Sequence, residues 1–303
     1  MNKLIPLMQR EWLQHRNGWL LMVGLPLVLS VLLLGIGQIQ VGQEAEAAGE
    51  AWPSLLAAAT IGITMAVIFA IAAFSSLVIV SNLARRDHAD RSVEFWLSVP
   101  VSHSASFAAP LIVHLLLVPA AALAVGMLGG YAISFVVVSR VLDTAAWFGL
   151  PWGALFAASV SMLLRLLAGL PLAMLWLSPL ILLVVLLTAW FRRWGWVILT
   201  VGIGLGSLIL EKIFGQPWLM RINGELLKAA GGALIHGDQG GMVVNASSQT
   251  LEALRLLPAW ALEDFGAALQ ALATPLFPGA LLFAAGCFFL LVQWRQRGAG
   301  AAG

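Results

Sequence analysis

The stretch Leu55–Pro100, LLAAATIGITMAVIFAIAAFSSLVIVSNLARRDHADRSVEFWLSVP, joins two opposite kinds of sequence. Leu55–Asn82 carries no charged residue and exceeds the ~20 apolar residues that take an α-helix across a bilayer. In hydrocarbon every peptide N–H and C=O must bond within the protein, so such a run is a helix and not a loop. Leu83–Glu94 then holds six charged residues and a histidine, and Phe95-Trp96-Leu97 follows at once. Arginines crowded at the end of an apolar span mark the side of the membrane that retains positive charge. A spanning helix that ends in a charged, aromatic connector is the unit from which the rest of the chain is read.

The same contrast recurs along the whole chain. Of 303 residues, 61% are hydrophobic and only 10% are charged, with a mean hydropathy of +0.95. A soluble domain carries roughly a quarter charged residues, so this composition excludes an ordinary water-soluble globule. Six apolar runs predict spanning helices at about 19–38, 55–82, within 104–138, and at about 170–191, 194–210 and 277–294. The third run is long enough to need a bend, which Pro119 supplies. The fold class read from the sequence is an all-α integral membrane protein. It is one transmembrane domain over residues 1–303, with six transmembrane helices.

Three segments flank this bundle. Residues 1–18 read as an N-terminal cytoplasmic interfacial helix, with Leu4, Ile5, Met8 and Trp12 sharing an apolar face. Residues 139–169 are apolar and aromatic yet include Arg140, Asp143 and Arg165, and read as an outer interfacial segment. Residues 214–275 read as an extracytoplasmic helical region between spans five and six. Its clustered glycines before and around Gly240 mark loops. Its leucine pattern (Leu251, Leu254, Leu262, Phe265, Leu269, Leu272) is amphipathic and broken near Pro258.

Charge selects the topology. With both termini cytoplasmic, ten of the sixteen Lys and Arg residues lie inside: Lys3, Arg10, Arg16, Arg85, Arg86, Arg91, Arg192, Arg193, Arg295 and Arg297. Four acids accompany them, so the inside carries +6 and the outside −4. A seventh span through residues 149–167 would move Arg192 and Arg193 outside, against the positive-inside bias.

Catalytic signatures are missing. There is no G-x-x-x-x-G-K-[ST], no H-E-x-x-H and no C-x-x-C, and the single cysteine, Cys287, allows no intrachain disulfide. The five histidines are scattered, and His114, the one inside a span, reads as a satisfied packing residue. Paired intramembrane carboxylates for proton coupling are not apparent, and Glu211 beside Lys212 reads as an interfacial ion pair. The expectation is a non-catalytic chain with no cofactor or metal residue of its own. Energy for any transport would come from a partner.

The connector is the exception. As a short helix, Asp87, Asp90, Arg91 and Glu94 lie on one polar side, Val93, Trp96 and Leu97 form an apolar side, and Pro100 ends it. Large apolar groups beside such charges need the membrane interface or a protein groove.

Ser92-Val93-Glu94-Phe95-Trp96-Leu97-Ser98-Val99-Pro100-Val101-Ser102 resembles the first cytoplasmic loop of bacterial ABC type-2 exporter permeases, whose pattern there is T/S-x-E-x-L-L-S-x-P-V-S. Arg10–Leu21 (REWLQHRNGWLL) is similar to that family's N-terminal interfacial helix, and Ala189–Ile198 (AWFRRWGWVI) to a Trp- and Arg-rich turn between its fourth and fifth spans. The chain departs from the pattern in the bulk of Phe95-Trp96 and in Ser102-His103, where a basic residue is common.

The resemblance implies a permease in the bacterial inner membrane, working with two ABC ATPase subunits that bind ATP and Mg. Residues 83–103 would be the coupling loop, with Asp87, Asp90, Arg91, Glu94, Phe95, Trp96 and Leu97 docking the ATPase. A second permease chain, identical or paralogous, would complete the transporter, with membrane lipid around it and no nucleic acid partner. The alternative is an ABC-coupled scaffold that transmits conformational change to an extracytoplasmic protein through residues 214–275.

Overall fold

The computed structural model describes residues 4–37, 51–83, 103–237 and 250–300. These residues form α-helices and no strand: α1 (Leu4–Ile36), α2 (Trp52–Ser81), α3 (His103–Ile112), a π turn (Val113–Leu117), α4 (Val118–Val141), α5 (Thr144–Phe148), α6 (Trp152–Phe191), α7 (Gly195–Phe214), α8 (Trp218–Leu234), α9 (Thr250–Gln270) and α10 (Leu276–Gly300). Six helical stretches are long and apolar enough to cross a membrane: α1, α2, the continuous stretch Ser104–Val141, α6, α7 and Leu276–Trp294. The chain is a multi-pass, all-α membrane protein. Large apolar side chains such as Leu21, Ile63, Phe74 and Leu282 are exposed, as a surface bathed in lipid requires.

The most extensive contact is between α2 and α4. It rests on Gly126-x-x-x-Gly130. A Cβ on Gly126 would lie 2.9 Å from Met65 Cα, and one on Gly130 would lie 2.8 Å from Ile61 Cα. Without a hydrophobic force between helices in lipid, close backbone approach is what gains packing energy, and small residues permit it. The Ser134 hydroxyl extends the row, donating to the Ala57 carbonyl at 3.5 Å.

Helix α6 is the spine. At 40 residues it is roughly 60 Å long, twice a bilayer's apolar thickness. At one end Leu155, Ala158 and Leu166 pack with Ala57, Ile61 and Leu254. In the middle Trp176 packs among Leu226, Ala230 and Ala280, and its ring lies 4.9 Å from that of Phe277. At the other end Val185, Leu186 and Ala189 meet Val80, Leu83, Phe107, Cys287 and Leu291. The Thr188 hydroxyl donates to the Ser81 carbonyl there. That end therefore collects the finish of α2, the start of α3, the α6–α7 turn and the later part of α10. In the turn, Gly195 lies so close to Thr188 that a Cβ would meet its backbone nitrogen at 2.6 Å.

Four boundaries differ from the sequence reading. Residues 1–18 were set apart from the first span, but α1 runs without interruption from Leu4 to Ile36. Residues 139–169 were read as one outer interfacial segment. Instead Arg140 closes α4 and Asp143 caps the five-residue α5, its carboxylate accepting from the Ala146 N–H at 2.5 Å. Residues 152–169 are the first half of α6, with no break before the span. The glycines of residues 224–232 do not make a loop. They lie within α8, because Ile222, Leu226, Ala230 and Ala233 form a stripe against α6 and α10 that outweighs glycine's helix cost of ~1 kcal/mol each. Finally, α9 continues through Pro258.

Candidate functional site

The residues expected to dock an ATPase (Asp87, Asp90, Arg91, Glu94, Phe95, Trp96 and Leu97) lie outside the described residues. What the structure brings together, at the same end of the bundle, is a polar cluster inside the membrane helices.

It begins with one stripe of α1. Met8, Glu11, His15, Trp19 and Met22 recur at three- and four-residue steps, so they lie on one helix face. Trp19 is buried, and Met8 and Met22 pack beside it against Val113, Val118 and Ala122. Of the apolar face read from sequence, Ile5 and Trp12 are exposed and Met8 packs inward. In lipid, apolarity does not tell inside from outside. The polar members Glu11 and His15 face His114, while Gln14, Arg16 and Asn17 on the other sides of α1 are exposed.

The facing residue is His114, carried by the π turn. Pro119 has no N–H to give the Leu115 carbonyl, and its ring crowds that carbonyl. The preceding turn widens, and the Val118 N–H bonds the Val113 carbonyl five residues back. One-turn widenings of this kind recur at functional sites. His114 is fully buried and Glu11 is 3% exposed. His114 Nε2 lies 3.5 Å from Glu11 Oε2. Neither ring nitrogen of His114 makes a hydrogen bond. His114 is therefore packed, as the sequence reading expects, but its ring nitrogens are not satisfied by hydrogen bonds.

His15 completes the group. Its Nδ1 lies 3.1 Å from the Glu11 carbonyl oxygen, and its ring meets that of His114 edge-on at 5.1 Å. A carbonyl only accepts, so Nδ1 is the donor, and in the neutral ring the lone pair then sits on Nε2. The Trp19 ring lies 5.6 Å from that of His114 and shields it. A carboxylate and two imidazoles, each with one donor atom within 4.8 Å of the others, can hold a proton between them or hold a metal ion. The signal in the sequence was E-x-x-x-H with Trp one turn on. The third member, about a hundred residues away, carried no local mark.

A second polar group lies toward the opposite end. Arg165 Nη2 is 2.6 Å from Asp264 Oδ2, and Nε donates to the same oxygen at 2.8 Å. Arg165 Nη1 donates to the Ala233 carbonyl at 2.9 Å. The Asp264 carboxylate also accepts from the backbone N–H of His236 at 3.0 Å and of Gly237 at 3.2 Å. Gly237 sits at φ +68, where a side chain would be strained. This arrangement clasps α6, α8 and α9. Glu211 and Lys212, weighed as an ion pair, are both exposed at the end of α7.

No protein-family model matches this chain, and neither a curated protein nor a solved structure matches it.

Proposed function

We propose that this chain is the transmembrane permease subunit of an ATP-driven ABC exporter in a bacterial inner membrane, with both termini cytoplasmic. Two separate ATPase subunits bind ATP and Mg, and a second permease chain completes the route for substrate. The observation that carries the reading is the run Ser92–Ser102, SVEFWLSVPVS, directly after the second of six spans. What supports it is the gathering of the α2 finish, the α3 start and the α6–α7 turn at one end of the bundle. An element docked between Leu83 and His103 would push on three helices at once. The concentration of Lys and Arg at the ends of these helices favours the cytoplasm for that side.

In this reading the polar face Asp87, Asp90, Arg91 and Glu94 sets register against the ATPase, and Phe95, Trp96 and Leu97 enter its groove. Truncating a buried aromatic anchor commonly costs ~2 kcal/mol or more, which is about a thirtyfold loss of affinity. Co-purification of the ATPase and ATP turnover in membranes test this. Trp96→Ala weakens capture by roughly that factor, and Glu94→Lys weakens it further by repulsion if the groove is basic. Arg192→Ala, in the α6–α7 turn, is the control. Full capture and turnover by both loop variants would remove the basis of the proposal.

A further inference from the structure

We propose that Glu11, His15 and His114 form a binding site for a divalent transition-metal ion, zinc being the ion that best fits the donor set, and that the bound ion clamps α1 to the π turn. This proposal stands on the described residues alone and does not depend on the transport reading. Two imidazoles and a carboxylate are a common three-ligand zinc set that leaves a fourth position for water or another group. The three donor atoms lie within 4.8 Å of one another. Two ligands at ~2.0–2.1 Å from a tetrahedral zinc are about 3.3 Å apart, close to the 3.5 Å between His114 Nε2 and Glu11 Oε2.

His114 supplies the independent argument. It is fully buried, faces the Glu11 carboxylate and makes no hydrogen bond at either ring nitrogen. A buried polar atom without a hydrogen bond costs ~1–3 kcal/mol, and a metal ion between His114 and Glu11 gives Nε2 a bond where it now has only a 3.5 Å approach to the carboxylate. His15 shows the outer bond that ligating histidines usually have, with its other nitrogen on a backbone carbonyl, here that of Glu11 at 3.1 Å. The Trp19 ring covers the site on one side, so the ion would sit in low dielectric, where its attraction to a carboxylate is strongest.

The test uses the full chain, purified in detergent with any affinity tag removed, and measures zinc by equilibrium dialysis and cobalt by visible absorption. The expected result is one zinc per chain, displacing one cobalt whose spectrum has the intense bands of a four-coordinate ion, together with a higher Tm in zinc than in chelator. Glu11→Gln, His15→Gln and His114→Gln should each lower affinity by more than about 100-fold, the upper end of what losing an outer partner costs. Cys287→Ser should leave binding unchanged. Where His114→Gln fails to fold, the half-buried His15→Gln and the cobalt spectrum of the unaltered chain still decide. Less than one zinc per chain, equal binding by unaltered chain and variants, or loss of binding in Cys287→Ser would each overturn the proposal. So would a Tm that falls in the variants yet ignores zinc in the unaltered chain, since that marks a plain ion pair.

Discussion

Arg165 and Asp264 illustrate what a single buried charge does in this molecule. Each is almost fully buried, and together with the N–H groups of His236 and Gly237 and the Ala233 carbonyl they satisfy one another. Removing one partner strands the other. Breaking such a pair typically costs 3–5 kcal/mol, whereas replacing both partners with apolar residues of similar size is often near neutral. Asp264→Ala should therefore lower thermal stability in detergent sharply, and Arg165→Met with Asp264→Leu should recover most of it. If the double variant is as unstable as the single one, the wider network and not the pair holds the helices. The sequence exposed Arg165 as an anomaly in an apolar run but did not connect it to a residue 99 positions later. Polar pairing across helices leaves no periodic trace. For the same reason Glu11 enters the sequence reading only as one of the four cytoplasmic acids, and His114 only as a packing residue.

At the scale of the helix, sequence reveals length and apolarity better than it reveals which face is inside. The spans were legible because hydropathy alone selects them. The orientation of α9 was not. Of the leucines in its amphipathic pattern, Leu254 is buried but Leu251, Leu262 and Leu269 are exposed, Leu262 at 75%. The inner face is Leu254, Ala261, Asp264 and Ala268. Small residues allow approach to α6, and Asp264 goes where Arg165 is, while leucine is at home in lipid. The same rule makes the α2–α4 seam predictable once seen. Gly130→Ala puts a methyl 2.8 Å from Ile61 Cα, and such overpacking costs typically 1–3 kcal/mol. Gly62, in the same pair of helices, has open space where a Cβ would go. Gly62→Ala should leave Tm unchanged or raise it, since Ala favours helix by up to ~1 kcal/mol. Thermal unfolding of the two variants separates seam packing from glycine content. Equal effects would mean that close backbone approach is not what holds α2 to α4.

On the scale of the whole molecule, the proposed topology makes six crossings with the six long apolar helices and returns the chain to the side on which it starts. That side then carries a charge of +6 against −4 on the other. A cysteine at Gly240, in a chain with Cys287 replaced, should react with an impermeant reagent from outside; labelling only from the cytoplasm would invert the topology. The interior raises a larger question. Trp176, Leu123, Leu155, Leu170, Val138 and Val185 are fully buried side chains along α4 and α6. Opening a route through one copy would mean displacing them from close packing. Each large side chain lost from a core costs several kcal/mol, more than a transport cycle can spend at many positions. The polar groups do not line a channel either. One set ties α1 to the π turn and the other clasps α6, α8 and α9. A substrate path is more cheaply made between two copies, on surfaces already free to separate. For the proposed transporter, native mass measurement of the chain in complex with an ATPase should therefore find two permease chains and two ATPases, the permeases being either identical or paralogous. An ATP-hydrolysing, substrate-moving complex with a single permease chain would require a path through this packed interior and would end the transporter reading in its present form.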